Sequence, residues 1–274
     1  MTIGGLSACS VGDGPPVLLV HGWAGLKESW TRLPFALAEA GYRAVMVDLP
    51  GWGGSPAPRG FPHTPESYGV AIARALEELG PAPVIAHSMG AQGTSLVALH
   101  RPRALTRLVL LSPALTPFRE ATFPPQSMRD VVRYPVVGVP LTRIALLWLR
   151  RDAERWRRQF LRAFAEPDRF VGDPELERTL DYVCMRLTDT ATRTLARSAP
   201  GLLDFDARAI APRLPHEALV VIGERDRVTR PECAQEVADL MPRGRAMPVR
   251  DVAHFPHIEA REVVLPAIVE HLAA

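Results

Sequence analysis

Cysteine and lysine are both scarce in this chain of 274 residues. The three cysteines, Cys9, Cys184 and Cys233, lie far apart and lack the spacing of metal ligands. Their odd number and wide separation argue against a disulfide framework and predict free thiols in a reducing compartment, the cytoplasm. Lys27 is the only lysine among 32 basic residues, and the formal net charge of +2 gives no sign of a nucleic-acid partner.

Long apolar runs are absent as well. The longest run, from Ile144 to Leu149, is flanked by Arg143 and Arg150, and it is far shorter than the roughly 20 residues that a membrane span requires. With 47% hydrophobic residues, the chain can still bury a full core. We therefore expect a soluble protein with no membrane span, built as one large domain or as one domain with an insertion.

Short apolar runs alternate with amphipathic segments of helix length over most of the chain. This alternation predicts the α/β class, with a mostly parallel twisted sheet and helices on both faces. An antiparallel edge hairpin is expected before the turn at Asp13–Pro16. The predicted strands are Val17–Val20, Ala44–Val47, Pro83–Ala86, Arg107–Leu111, Ala218–Ile222 and Arg245–Val249.

The alternation stops between Pro113 and Pro200, where no convincing strand occurs. A stretch of about 90 residues is too long for a plain connection. We predict an all-helical cap at 113–200, inserted into a core formed by 1–112 and 201–274. The segments with helical periodicity in this insertion are Ser127–Arg133, Leu141–Arg150, Ala153–Phe164, Pro174–Leu187 and Thr188–Ala199.

The run from Val84 to Gly90 carries the strongest chemical signal. It reads as a strand, a sharp turn and a helix, with Ser88 at the apex of the turn. A hydroxyl in that position is exposed in front of a helix N-terminus, where backbone N–H groups and the helix dipole favour a developing negative charge. The usual pattern is Gly-x-Ser-x-Gly, and here Ala86 stands in the first glycine position. The run therefore predicts a serine nucleophile.

An acid and a histidine follow Ser88 in the order that such a nucleophile needs. Asp226 comes just after one predicted strand, and His254 comes just after the last one. Because ligands bind at the carboxyl edge of a parallel sheet, the three loops can meet there. We predict Ser88 as the nucleophile, His254 as the general base and then acid, and Asp226 as the acid that orients the imidazole.

Other residues compete for these roles. Asp48 also follows a strand, but the Pro- and Gly-rich residues after it suggest a carboxylate that shapes a loop. His257 lies about one turn into the last helical segment rather than at the end of a strand. His21 belongs to a loop that is better suited to shaping the oxyanion site. His87 is expected to pack beside the serine turn.

Two backbone N–H groups are predicted to stabilise the oxyanion. One belongs to Met89, directly after the nucleophile, and the other to Trp23, in a loop that follows an apolar strand. Met89 and Trp23 are also expected to contact the substrate, with the Trp23 indole lining the acyl side of the pocket. This chemistry needs no cofactor and no metal.

Five motifs together resemble the α/β-hydrolase superfamily, in particular its branch with a helical cap. Aspartate at the nucleophile position would imply a dehalogenase or an epoxide hydrolase, and cysteine a dienelactone hydrolase, so the serine disfavours all three. The resemblance implies a carboxylesterase, a perhydrolase, a carbon–carbon bond hydrolase or an acyl-carrier-protein methyl ester esterase. The motifs are His21–Trp23, Asp48–Ser55, Ala86–Gly90, Gly223–Asp226 and Ala253–Glu259.

The favoured interpretation is a serine hydrolase that cleaves small-molecule carboxylic esters through an acyl-enzyme. A carbon–carbon bond hydrolase with the same triad, and a receptor without catalysis, remain alternatives. The cap segment Arg143–Arg162 holds seven arginines against Asp152 and Glu154, together with several aromatic residues. These arginines could form a solvated face, bind an acidic carrier protein, or meet an anionic membrane surface.

Overall fold

Eight strands form one sheet in the computed structural model, which describes residues 1–117, 130, 132, 134–149, 151–170, 172–186 and 189–274. The strand order is β1-β2-β4-β3-β5-β6-β7-β8, and the sheet is parallel from β4 to β8. β1 and β2 form an antiparallel hairpin, and β2 pairs antiparallel with β4. The strands are β1 (Thr2–Ile3), β2 (Leu6–Val11), β3 (Pro16–Val20), β4 (Arg43–Val47), β5 (Ala82–His87), β6 (Leu105–Leu111), β7 (Ala218–Gly223) and β8 (Gly244–Val249).

The predicted parallel sheet and its antiparallel edge are thus confirmed. Each predicted strand falls within an observed one. The central strands read as continuous apolar runs because helices cover both faces of a parallel sheet. In β7, for example, every residue from Ala218 to Gly223 is buried.

Helices lie on both faces of the sheet. Leu18 and Val20 of β3 point into one core, which includes side chains of α2 and α3, while Val17 and Leu19 point into the other, with α1 and α10. Successive side chains of a strand alternate between faces, so one strand supplies both cores. The helices are α1 (Leu33–Glu39), α2 (Pro65–Leu79), α3 (Gly90–His100), α4 (Pro135–Leu149), α5 (Ala153–Leu161), α6 (Pro174–Arg186), α7 (Asp189–Asp204), α8 (Pro231–Leu240), α9 (Pro256–Glu259) and α10 (Arg261–Ala273).

Helices α4 to α7 lie between β6 and β7 in the chain, where the insertion was expected. Helix α4 begins at Pro135 rather than at the predicted Leu141, because Pro140 is accommodated inside it at the cost of one intrahelical hydrogen bond. Most of the predicted helix Ser127–Arg133 lies outside the described residues. Helix α7 continues through Pro200 to Asp204, and the domain boundaries themselves stay a prediction. No helix in the described ranges is long and apolar enough to cross a membrane.

Candidate active site

Ser88 occupies a strained turn between β5 and α3. Its φ of 49° lies in the left-handed region, which costs energy for a residue with a side chain. Three backbone hydrogen bonds hold the turn: the Ser88 N–H donates to the Leu111 carbonyl at 3.0 Å, and the Ser88 carbonyl accepts from Ala91 and Ala114 at 3.1 Å. The neighbouring strand β6 therefore fixes the position of the hydroxyl.

Two glycines bring the loop after β3 against this turn. A Cβ on Gly90 would lie 2.6 Å from the Val20 carbonyl oxygen, and one on Gly22 would lie 2.9 Å from the Ser88 Cβ. Both distances are too short for a side chain, so glycine is required at these two places. This packing sets the loop that contains Trp23 directly beside the nucleophile position.

The structure brings Ser88, His254 and Asp226 together as a hydrogen-bonded chain. The His254 Nε2 lies 3.0 Å from the Ser88 Oγ, and its Nδ1 lies 2.8 Å from the Asp226 Oδ2. All three residues are buried. With the proton on Nδ1, the imidazole donates to Asp226 and leaves Nε2 free to accept the serine proton.

Asp226 is held as a carboxylate. Burial by itself raises its pKa, but the neighbouring His254 and hydrogen bonds from Thr229 and His254 bring the pKa below its usual value. The Thr229 hydroxyl donates to Oδ2 at 2.7 Å, while the backbone N–H groups of Val228 and Thr229 donate to Oδ1 at 2.8 and 3.0 Å. Sequence reasoning missed Thr229, although a threonine three residues after an aspartate is a recognisable local hydrogen-bonding pattern.

The competing acid, Asp48, is fully buried and engaged elsewhere. Its carboxylate accepts from the Lys27 N–H at 2.8 Å, from the Lys27 Nζ at 2.7 Å and from the Gly54 N–H at 2.8 Å. These bonds close the loop after β4. Asp48 therefore sits as a loop-shaping carboxylate and does not bond to His254.

His21 has a similar supporting position. Its Nε2 accepts from the Leu49 N–H at 3.1 Å, so its Nδ1 carries the proton and donates to the Gly22 carbonyl at 2.8 Å. Burial lowers the pKa of His21 and favours this neutral form. The imidazole thereby fixes the peptide directly before Trp23.

Two further histidines pack around the catalytic candidate. The His87 Nε2 donates to the His254 carbonyl oxygen at 2.8 Å, and its ring stacks on Phe255 with centroids 5.0 Å apart. His257 lies farther back, with its ring centroid 5.4 Å from that of Trp30. Burial lowers the pKa of His257 to about 3 and that of His87 well below its usual value. Both rings are neutral supports of the loop that carries His254.

Of the two predicted oxyanion donors, Met89 directly follows Ser88 in the chain, and Trp23 lies in the loop that Gly22 packs against the Ser88 turn. Met89 is the residue before α3, and neither its N–H nor that of Trp23 has an acceptor within the described part of the chain. The Trp23 indole Nε1 donates to the Leu195 carbonyl and to the Ser198 Oγ, both at 3.1 Å. The indole thus links the loop after β3 to α7, a contact that the sequence did not reveal. The roles of both amides in catalysis stay a prediction.

A buried carboxylate, Glu259, supports the loop of His254 from behind. It accepts hydrogen bonds from the backbone N–H groups of Ala253 at 3.2 Å, Phe255 at 3.0 Å and Ala165 at 2.8 Å. Burial raises its pKa, against the effect of these donors. In addition, the His254 N–H donates to the Ala163 carbonyl at 3.0 Å. The segment after α5 is therefore bonded directly to the loop of the candidate base.

No group of three or more histidine, cysteine, aspartate or glutamate side chains is placed to hold a metal ion among the described residues. The arrangement around Ser88 has the three groups that activate a serine nucleophile: the hydroxyl, an imidazole within hydrogen-bond distance and a carboxylate bonded to that imidazole.

Residues 17–267 match the Alpha/beta hydrolase family, and the chain belongs to this family. It is 26% identical over 264 residues, 96% of each chain, to a pimeloyl-[acyl-carrier protein] methyl ester esterase of Chromobacterium violaceum. It is 25% identical over 251 residues to Lipase 3 of a Moraxella species, covering 90% of this chain and 74% of that one. The fold is also similar to that of a 2-hydroxy-6-oxo-6-phenylhexa-2,4-dienoate hydrolase from a Rhodococcus species, with a TM-score of 0.80, 19% identity, and coverage of 100% of this chain and 97% of that chain.

Proposed function

We propose that this member of the family is a serine hydrolase that cleaves carboxylic esters through a covalent acyl-enzyme. The observation that carries the proposal is the hydrogen-bonded chain from the Ser88 hydroxyl through His254 to Asp226. A serine hydroxyl is a weak nucleophile near neutral pH unless a base removes its proton as it attacks. The bond from Ser88 to Nε2 supplies that base.

In the proposed reaction the Ser88 Oγ attacks the ester carbonyl carbon while its proton passes to the His254 Nε2. The N–H groups of Met89 and Trp23 stabilise the oxyanion of the tetrahedral intermediate. Collapse expels the alcohol, which takes the proton from His254. A water molecule, deprotonated by the same Nε2, then attacks the acyl-enzyme and releases the carboxylic acid. Asp226 stays ionised and holds the imidazole throughout, as its lowered pKa favours.

The relative from Chromobacterium violaceum supports an ester as the substrate class, since it matches almost the full length of both chains. An acyl-carrier-protein methyl ester is therefore the second candidate substrate. We also propose that α4 to α7 form a cap over the site, because the Trp23 indole bonds to α7 and His254 bonds to the segment after α5. In this role the cap would set the depth of the acyl pocket.

The first experiment is a chain-length series of p-nitrophenyl esters with the wild type and Ser88→Ala. Loss of the nucleophile should lower kcat by about 10⁴-fold or more. The wild type should show a burst of p-nitrophenol that equals the enzyme concentration, and mass spectrometry should find the acyl group on Ser88. Near-normal turnover by a folded Ser88→Ala protein contradicts the proposal.

Ser112→Ala is the matched control. Ser112 also follows a strand, has a φ of 40° and is buried, but within the described residues its Oγ approaches only the Ala253 carbonyl, at 3.5 Å. This variant should keep the burst. Asp226→Asn should lower kcat by several orders of magnitude, about 10⁴-fold. If Asp48→Asn lowers kcat more than Asp226→Asn does, with both proteins folded, Asp226 is not the acid that orients the imidazole.

A further inference from the structure

The outward face of α4 is apolar and exposed. Ile144 is 62% exposed and Trp148 55%, although both are large hydrophobic side chains. More than half of the exposed large hydrophobic side chains in the described residues lie on this helix or directly before it. They are Tyr134, Val136, Val137, Leu141, Ile144 and Trp148, and we call them the α4 outer face.

The inner side of α4 is buried against the rest of the protein. Gly138 and Leu146 are buried, and α4 packs against α7. A helix that is apolar on both sides requires an apolar contact on both sides. Within the outer face, Val137, Leu141, Ile144 and Trp148 recur every three or four residues and so form one stripe along the helix. Contiguous exposed apolar surface of this kind marks a binding surface rather than scattered surface residues.

The sequence around the stripe is basic. It has no acidic residue between Asp130 and Asp152, whereas four arginines, among them the exposed Arg151, lie in that interval. Asp152 itself accepts from the Arg155 N–H at 3.1 Å and forms an ion pair with the guanidinium of the same arginine at 3.4 Å. That guanidinium lies 3.8 Å above the centre of the Trp148 ring. Asp152, the first acidic residue after the stripe in the sequence, is thus paired with the arginine that covers the tryptophan.

We propose that the α4 outer face docks on the surface of an anionic phospholipid bilayer. A helix that lies in a membrane interface presents aliphatic and tryptophan side chains to the acyl boundary and arginines to the anionic headgroups. The α4 outer face and its basic rim have both features. A second copy of the chain would bring like charges together at this rim, which disfavours self-association. An acidic protein would compensate the arginines but does not require a row of exposed aliphatic side chains.

The α4 helix is connected to the site through α7. Helix α7, on which α4 packs, accepts the hydrogen bond of the Trp23 indole through Leu195 and Ser198. Docking would therefore place the candidate pocket near esters dissolved in the bilayer. This consequence rests on the proposed function, whereas the docking itself does not.

The test is co-sedimentation of the full chain with vesicles of phosphatidylcholine, with and without phosphatidylglycerol. We expect binding to the phosphatidylglycerol vesicles that weakens as salt is raised, because exposed charges are screened. Ile144→Glu should weaken this binding about tenfold or more, since the apolar side chain no longer enters the acyl boundary. Ser88→Ala should bind as the wild type does, so that loss of hydrolysis and loss of docking are separated.

Val263→Glu is the matched control. Val263 lies on α10, is 56% exposed and belongs to no part of the site or of the α4 outer face. It should leave vesicle binding unchanged, and circular dichroism should confirm that both glutamate variants are folded. Equal vesicle binding by wild type and Ile144→Glu, or no binding to anionic vesicles, overturns the proposal. The proposal is also overturned if the wild type does not bind the vesicles but forms a dimer, or a complex with an acyl-carrier protein, that Ile144→Glu abolishes.

Discussion

Lowering the pH from 7 to 5 is expected to destabilise the folded protein through His257. This side chain is 3% exposed, and its Nδ1 has no hydrogen-bond partner in the described part of the chain. The rings of Trp30, His87 and Phe255 surround it. A proton on His257 would place an uncompensated charge among these rings, and burial accordingly lowers its pKa to about 3 from the ordinary 6.5.

The direction and size of this change in the free energy of unfolding follow from the linkage between folding and protonation. The unfolded chain takes up a proton on this histidine below pH 6.5, while the folded chain does not until about pH 3. Stability is therefore lost progressively as the pH falls through that interval. Between pH 7 and pH 5 the loss from this one group is about 2 kcal/mol, at about 1.4 kcal/mol for each unit of pH.

The assay is urea unfolding at a series of pH values, for the wild type and for His257→Leu. The variant removes the titrating group and the unpaired nitrogen, so its unfolding free energy should fall by about 2 kcal/mol less than that of the wild type between pH 7 and pH 5. The contributions of the other histidines are common to both proteins and cancel when their unfolding free energies are subtracted. Identical pH dependence in both proteins would refute the inference that the fold keeps His257 neutral.

Two further predictions concern contacts that the insertion makes with the core. Glu259→Gln replaces a charged acceptor of three backbone N–H groups by an amide with one acceptor oxygen, so the free energy of unfolding at pH 7 should fall by about 1–3 kcal/mol; an unchanged urea midpoint would show that the carboxylate is not needed. Trp23→Phe keeps an aromatic ring but removes the bonds to α7, and should lower stability by about 1 kcal/mol. Glu39→Gln, on exposed α1 surface, is the control for the first variant and should keep the midpoint. A Trp23→Phe protein as stable as the wild type would mean that the indole N–H is equally well satisfied by water.

The positions of Ser88, Asp226 and His254 could be predicted because local signals mark them. Each follows a strand at a turn, and the parallel arrangement of the strands brings their carboxyl ends to one edge. Their hydrogen-bonded geometry required the structure, since residues 166 and 28 positions apart carry no local pattern for a bond. Family membership supports the hydrolase class, while the roles of the three side chains await the kinetic experiments.

Other features could not be predicted, for identifiable reasons. Glu259 bonds to the backbone of Ala165 across 94 residues, and an interaction with backbone N–H groups leaves no trace in the partner's sequence. The predicted helix begins at Leu141, directly after Pro140, whereas this proline lies inside α4, which begins at Pro135. Apolar periodicity likewise does not show which of two apolar faces meets the core, so it does not predict the exposure of Trp148.

Ala163 accepts the hydrogen bond of the His254 N–H, and the Ala165 N–H donates to Glu259, so exchanging or moving the insertion alters both bonds. Pulling the segment after α5 away from the core removes the acceptor of the His254 N–H and a donor to Glu259, the support behind the imidazole. In the proposed cap, entry to the site and alignment of the imidazole are for this reason linked on that side. A chimaera that carries another family member's insertion should retain residues 163–165, because pocket shape and imidazole alignment would otherwise change together.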